Sequence, residues 1–173
     1  MLCSMQIDGL IITFKEFDFM KKTIFAAALI LALSMILTSC SSTKEVTSAA
    51  DFVSEAERQG YVTQDLTYTF DSELLENLTV ALQEDGAFQV ELYTLIDEAT
   101  ALQLYTENKA AIEAAQGSSK TSTEKSGANY AKYSQKSGGM YSVVCCVGNT
   151  MLYASADMEH EKAIKSLFDS VGY

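Results

Sequence analysis

Fourteen residues, Ile24 to Leu37, pass without a charge, one residue behind Lys21 and Lys22 and directly ahead of Thr38-Ser39-Cys40. A positive end, an apolar run and small residues, in that order, form the layout of a secretory signal. A membrane-spanning helix needs roughly 20 apolar residues, and runs of about 10–14 suit a signal core instead. The run therefore removes residues 1–39 from the folded protein. The 134 residues of 40–173 remain, enough for one domain with a single modest core. Ahead of Met20 lie nineteen residues that include Asp8, Glu16 and Asp18, which suit no signal N-terminus. Translation is accordingly expected to start at Met20, with 1–19 an over-called extension, 20–39 the signal, 40–47 a tether and 48–173 the domain.

Leu37-Thr38-Ser39-Cys40 resembles the lipobox of bacterial lipoproteins, an aliphatic residue and two small ones before a cysteine. The resemblance covers about twenty residues and no part of the domain. It implies a diacylglyceryl thioether on Cys40 and cleavage between Ser39 and Cys40, so that Cys40 becomes the first mature residue. It also implies export and anchoring on the outer face of the bacterial cell membrane, or on the outer membrane of a Gram-negative host. One acyl chain binds a bilayer only marginally, whereas two hold stably, so a diacylglyceryl group suffices.

The mature chain keeps nine of the twelve basic residues and twenty of the twenty-three acidic ones, and so carries the whole formal charge of −11. That sign disfavours nucleic acid and anionic headgroups as partners. The membrane is the expected partner, through the lipid alone. Of four cysteines, Cys3 and Cys40 fall outside the domain, and Cys145 and Cys146 are too few for a disulfide framework.

Along the chain, Ser48 to Gly60 predicts a helix, capped by Ser48 and ended by Gly60. Tyr61 to Phe70 predicts a strand that buries Val62, Leu66, Tyr68 and Phe70 and leaves Thr63, Asp65, Thr67 and Thr69 in solvent. Leu78–Leu82 and Phe88–Leu92, joined by Glu84-Asp85-Gly86, predict a hairpin. Asp97 to Gln116 predicts the longest helix, with Ala101, Leu104, Tyr105, Ala111, Ile112 and Ala115 as its apolar stripe. Gly117 to Gly127 has no apolar side chain and predicts an exposed mobile loop. Asn129–Gln135, Met140–Val147 and Thr150–Ala156 predict three strands, the middle one central because Val143 to Val147 is apolar on both sides. Met158 to Val171 predicts a closing helix that buries Ala163, Ile164, Leu167, Phe168 and Val171. The order α-βββ-α-βββ-α points to an α+β fold, an antiparallel sheet with helices mainly on one face. Gln59-Gly60-Tyr61 and Val171-Gly172-Tyr173 echo one another at two predicted helix ends.

Few residues suggest chemistry. Cys145 and Cys146 read either as a vicinal redox pair or as two reduced hydrophobes. Adjacent strand residues point to opposite faces, which favours the second. Tyr130, Tyr133, Tyr141 and Tyr153 would make a sugar- or peptide-binding platform if they shared one face; core-rim tyrosines are the simpler reading. His160 is the only histidine, without metal-ligand spacing around it. Glu84-Asp85, Asp157, Glu159 and Glu161 match no calcium loop. The sequence implies no cofactor, no metal and no catalytic group. The expected role is an envelope-associated binding module; a small envelope hydrolase or an inhibitor- or immunity-type protein are the alternatives.

Overall fold

The computed structural model describes residues 42–69, 73–115, 117 and 119–173. Cys40, the signal and the extension lie outside the described residues. Within them the chain builds helix α1 (Ala49–Arg58), strands β1 (Val62–Asp65), β2 (Leu75–Leu82) and β3 (Gln89–Leu95), and helix α2 (Glu98–Ala114). Strands β4 (Lys120–Ser126), β5 (Tyr130–Ser137), β6 (Met140–Val147) and β7 (Thr150–Asp157) follow, then α3 (Glu161–Ser170). The seven strands form one antiparallel sheet in the order β1-β2-β3-β7-β6-β5-β4. The class is α+β, as the element order predicts.

Two helices share a face. Phe52 and Ala56 of α1 and Ile164, Leu167 and Phe168 of α3 pack against Val90, Leu92, Val143, Cys145 and Leu152 in the larger core. Helix α2 covers the opposite face, where Tyr105 and Ile112 meet Tyr133, Val144, Cys146 and Met151. Strand β6, between β5 and β7, is therefore buried on both sides.

Local chemistry sets the helix boundaries. The Ser48 hydroxyl accepts the Asp51 N–H at 3.1 Å, and Asp97 accepts the Thr100 N–H at 2.7 Å. That second bond holds the Asp97 carboxyl below its ordinary pKa. The echoed tripeptides are matching helix ends. Tyr61 N–H donates to Ala56 C=O at 3.0 Å, and Tyr173 N–H donates to Phe168 C=O at 2.8 Å. Gly60 and Gly172 donate to Glu57 and Asp169. Each glycine takes a positive φ, 87° and 83°, where a side chain would be strained. This is the Schellman arrangement twice over, and each tyrosine is driven back into the core.

Two expectations are corrected. Residues 117–127 are not a loop throughout, because Lys120–Ser126 is a full edge strand in register with β5 from Ser137 back to Ala131. All seven of its side chains are exposed, so backbone pairing holds it and no hydrophobic period marks it. The predicted strand from Tyr61 shortens to Val62–Asp65 and gives way to a turn of 3-10 helix at Thr67–Thr69. Val62 and Tyr68 are 59% and 79% exposed, against their predicted burial: α1 lies on the Thr63 side of β1, where the Thr63 hydroxyl donates to Glu57 at 2.9 Å, and strand alternation turns Val62 to the other side. Phe70 lies outside the described residues.

The register sorts the turns into two ends. Gly127–Asn129, Gly148-Asn149 and the Leu95–Asp97 entry to α2 gather at one. Glu84–Gly86, Ser137–Gly139 and Asp157–His160 gather at the other. The described part of the expected tether does not hang free but lies along the first end. Asn129 brackets Lys44, accepting its N–H at 2.9 Å and donating to its C=O at 2.8 Å. Ser42 C=O accepts Ala128 N–H at 3.2 Å, and Thr47 donates to Val171 C=O at 2.6 Å. A Cβ at Gly127 would collide with Ser42 C=O and the Tyr130 ring, so only glycine admits the strap there.

Candidate functional site

On the α2 face, α2 stops short of the sheet edge and leaves a groove of about 230 Å³. Leu74, Leu75, Tyr93 and Leu95 form its floor, and Thr100, Gln103, Leu104 and Glu107 of α2 form its wall. The positions follow from strand alternation. Tyr93 and Leu95 share the α2 face with Glu91, while Val90 and Leu92 turn into the other core. The Tyr93 hydroxyl donates to Glu91, which also accepts from Gln89 at 2.5 Å. Burial first, and then the Glu91 carboxylate, raise the Tyr93 phenol well above its ordinary pKa, so it stays a neutral donor. The groove thus offers apolar walls with amide, hydroxyl and carboxylate groups along its rim. Leu104 belongs to the apolar stripe that the sequence predicts for this helix, which does not by itself mark a groove wall. Its signal was faint: an apolar position at helical spacing facing strands that α2 does not fully cover.

A second depression, of about 330 Å³, opens between β4, β5 and α3. Lys125, Lys132 and Lys165 line it with Thr123, Ser134, Tyr141 and Asp169. Lys132 donates to Tyr173 C=O at 3.0 Å and lies 3.9 Å from Asp169. Burial pulls its ammonium below its ordinary pKa. Lys165 is committed to Glu161 at 2.5 Å. With Asp169 among them, these lysines are a partly neutralised cluster.

The residues singled out in the sequence are not brought together. Tyr130 and Tyr141 face the α1/α3 core, and Tyr133 and Tyr153 face α2, so no single-face platform forms. Each has its own local role: Tyr130 contacts Ser42 at 3.1 Å, and Tyr133 donates to Gln135 at 3.0 Å. Cys145 and Cys146 are free, buried, and divided between the two cores. Burial pushes the Cys145 thiol up to about 12 and also raises Cys146. His160 stacks on Phe88, with ring centroids 5.0 Å apart, and sits 3.5 Å from Glu159. It stands on the face opposite the groove, at the far end of the sheet. Among the described residues, no group of three histidine, cysteine or acidic side chains could hold a metal ion, and no helix is long and apolar enough to cross a membrane.

No protein-family model matches the chain, and no curated protein matches it. Among solved structures, a GTP binding regulator from Thermotoga maritima is similar over 72% of this chain and 87% of its own, at 16% identity and a TM-score of 0.44.

Proposed function

We propose that this protein is a lipid-anchored, extracytoplasmic binding module whose working element is the groove between α2 and the β2–β3 hairpin. The anchor rests on the lipobox at Cys40. The binding role rests on one observation, an apolar groove rimmed by Thr100, Gln103 and Glu107. Its size narrows the occupant. Pockets for small organic ligands hold about 300–1,000 Å³. A groove of about 230 Å³ suits one large apolar side chain or a short aliphatic group. A protein or peptide partner that inserts such an anchor fits best, in the manner of helix or strand motifs that dock one or two apolar residues.

The hydrolase alternative draws no support from His160, whose neighbours are Phe88 and Glu159 on the other face. The test has two parts. Intact mass of the protein extracted from host membranes should equal residues 40–173 plus lipid; an unlipidated mass removes the anchor. Methyl NMR of Leu75, Leu95 and Leu104 should then shift with peptides carrying a central Leu or Phe, and Leu104→Glu should abolish the shift while leaving the remaining spectrum intact. Silent groove methyls, or shifts confined elsewhere, would remove the groove as the binding element.

A further inference from the structure

We infer that the end of the sheet carrying Ser42 lies against the lipid surface, with Val46, Leu74 and Ile96 at the bilayer interface and the opposite turns directed away from it. This rests on the lipidation of Cys40 proposed above.

The covalent argument comes first. One residue separates Cys40 from Ser42, so their Cα atoms are at most about 7 Å apart. Ser42 is not on a swinging arm, because the Ala128 N–H, the Asn129 amide around Lys44 and the Thr47–Val171 bond fix the strap from its first described residue. A lipid on Cys40 therefore leaves from the Gly127–Asn129 turn. The far turns stand one strand length away, about 26 Å for eight residues.

The surface at this end fits the placement. Val46 packs on Gly148, Asn149 exchanges hydrogen bonds with Leu95, and Ile96 N–H donates to Leu74 C=O at 3.2 Å, so the strap, two turns and the α2 entry form one continuous rim. Val46, Leu74 and Ile96 on that rim are each about half exposed, at 47%, 52% and 46%. Apolar side chains shown to water at a lipid-linked end gain by entering the interface. Glu45, Asp97 and Glu98 share the rim, so contact is apolar and shallow and does not depend on anionic headgroups. The far end exposes Val62, Met140 and Met158, but it also gathers Glu84, Asp85, Asp157 and Glu159, which keep it in water. The groove borders the rim through Leu74 and Leu95, so its occupant approaches along the membrane surface.

The test uses the full chain, processed by its host and reconstituted in phosphatidylcholine vesicles. Ile96→Cys and, separately, Asp85→Cys carry an environment-sensitive dye; native Cys145 and Cys146 are buried and stay unlabelled. Lipids with headgroup nitroxides should remove most of the fluorescence at position 96 and leave position 85 unchanged. Gly127→Ala, which displaces the strap and the Tyr130 ring beside it, should lower the quenching at 96. Equal quenching at both positions, or quenching at 85 alone, overturns the orientation. A label at 96 that an aqueous quencher cannot reach and the lipid quencher does not touch places a protein surface there, and overturns it too. The mass of the same sample separates the two readings: lipid present with the wrong quenching fails the orientation only, and lipid absent fails the anchor and the orientation with it.

Discussion

Cys145 and Cys146 differ by one step along β6 and by the core they enter. The thiolate is the reactive form of cysteine, and burial opposes it. With Cys145 pushed up to about 12, neither thiol should react with an aromatic disulfide reagent at pH 8 in the native protein, and both should react after denaturation. Stoichiometric labelling of the folded domain would contradict their burial. Tyr141 and Tyr173 are likewise raised to about 12 by burial, against an ordinary value of 10. The neutral phenol is the form the fold accepts, so their contribution is complete below pH 10 and is lost as pH climbs from 10 towards 12. Circular dichroism should show stability falling across that window, with Tyr173→Phe losing less of it. Tyr173→Phe also removes the hydroxyl bond to Thr150, at a cost of about 1 kcal/mol at neutral pH.

The two Schellman ends state their demand most plainly at Gly60 and Gly172. Alanine at either φ should cost about 1–2 kcal/mol, read as a lower midpoint in urea. Where burial is periodic, the elements follow from side-chain spacing: the closing-helix stripe, the Asp97 cap, the Asp85-Gly86 hairpin and β6. The stripe predicted for α2 is narrower than expected, with Ala101, Tyr105 and Ile112 buried, Leu104 partly buried, and Ala111 and Ala115 exposed. Strand β4 was not readable, because Lys120 to Ser126 has no buried face and owes its place to β5. The groove was hidden for a related reason. Leu75 and Leu95 belong to a paired hairpin edge, and their meeting with Leu104 depends on which face α2 takes, which spacing along a helix does not specify. The tyrosine platform failed on parity, since Tyr130 and Tyr133 stand an odd number of residues apart on one strand. Hydrogen exchange gives β4 its own test: its amides should lose protection far sooner than those of β6, since it pairs on one side only.

For the whole molecule, most of the packing lies on the α1/α3 face. Phe168 is buried there with the Lys132 ammonium over its ring, and Phe168→Ala should cost about 3–5 kcal/mol. Domains of this size hold about 5–15 kcal/mol in all, so that variant should melt roughly 10–20 °C lower, while an exposed change such as Lys162→Ala should leave the melt unmoved. The strap also has a mechanical side. Tension applied ahead of Ser42 does not fall on the strand ladder. It enters at the bond between the Ala128 N–H and Ser42 C=O, passes through the Asn129 amide and Thr47 to the last turn of α3, and reaches the interior only after those bonds let go. The stretch from Ser42 to Thr47 thus works as a shear fuse, able to lengthen by about six extended residues while every core contact remains in place.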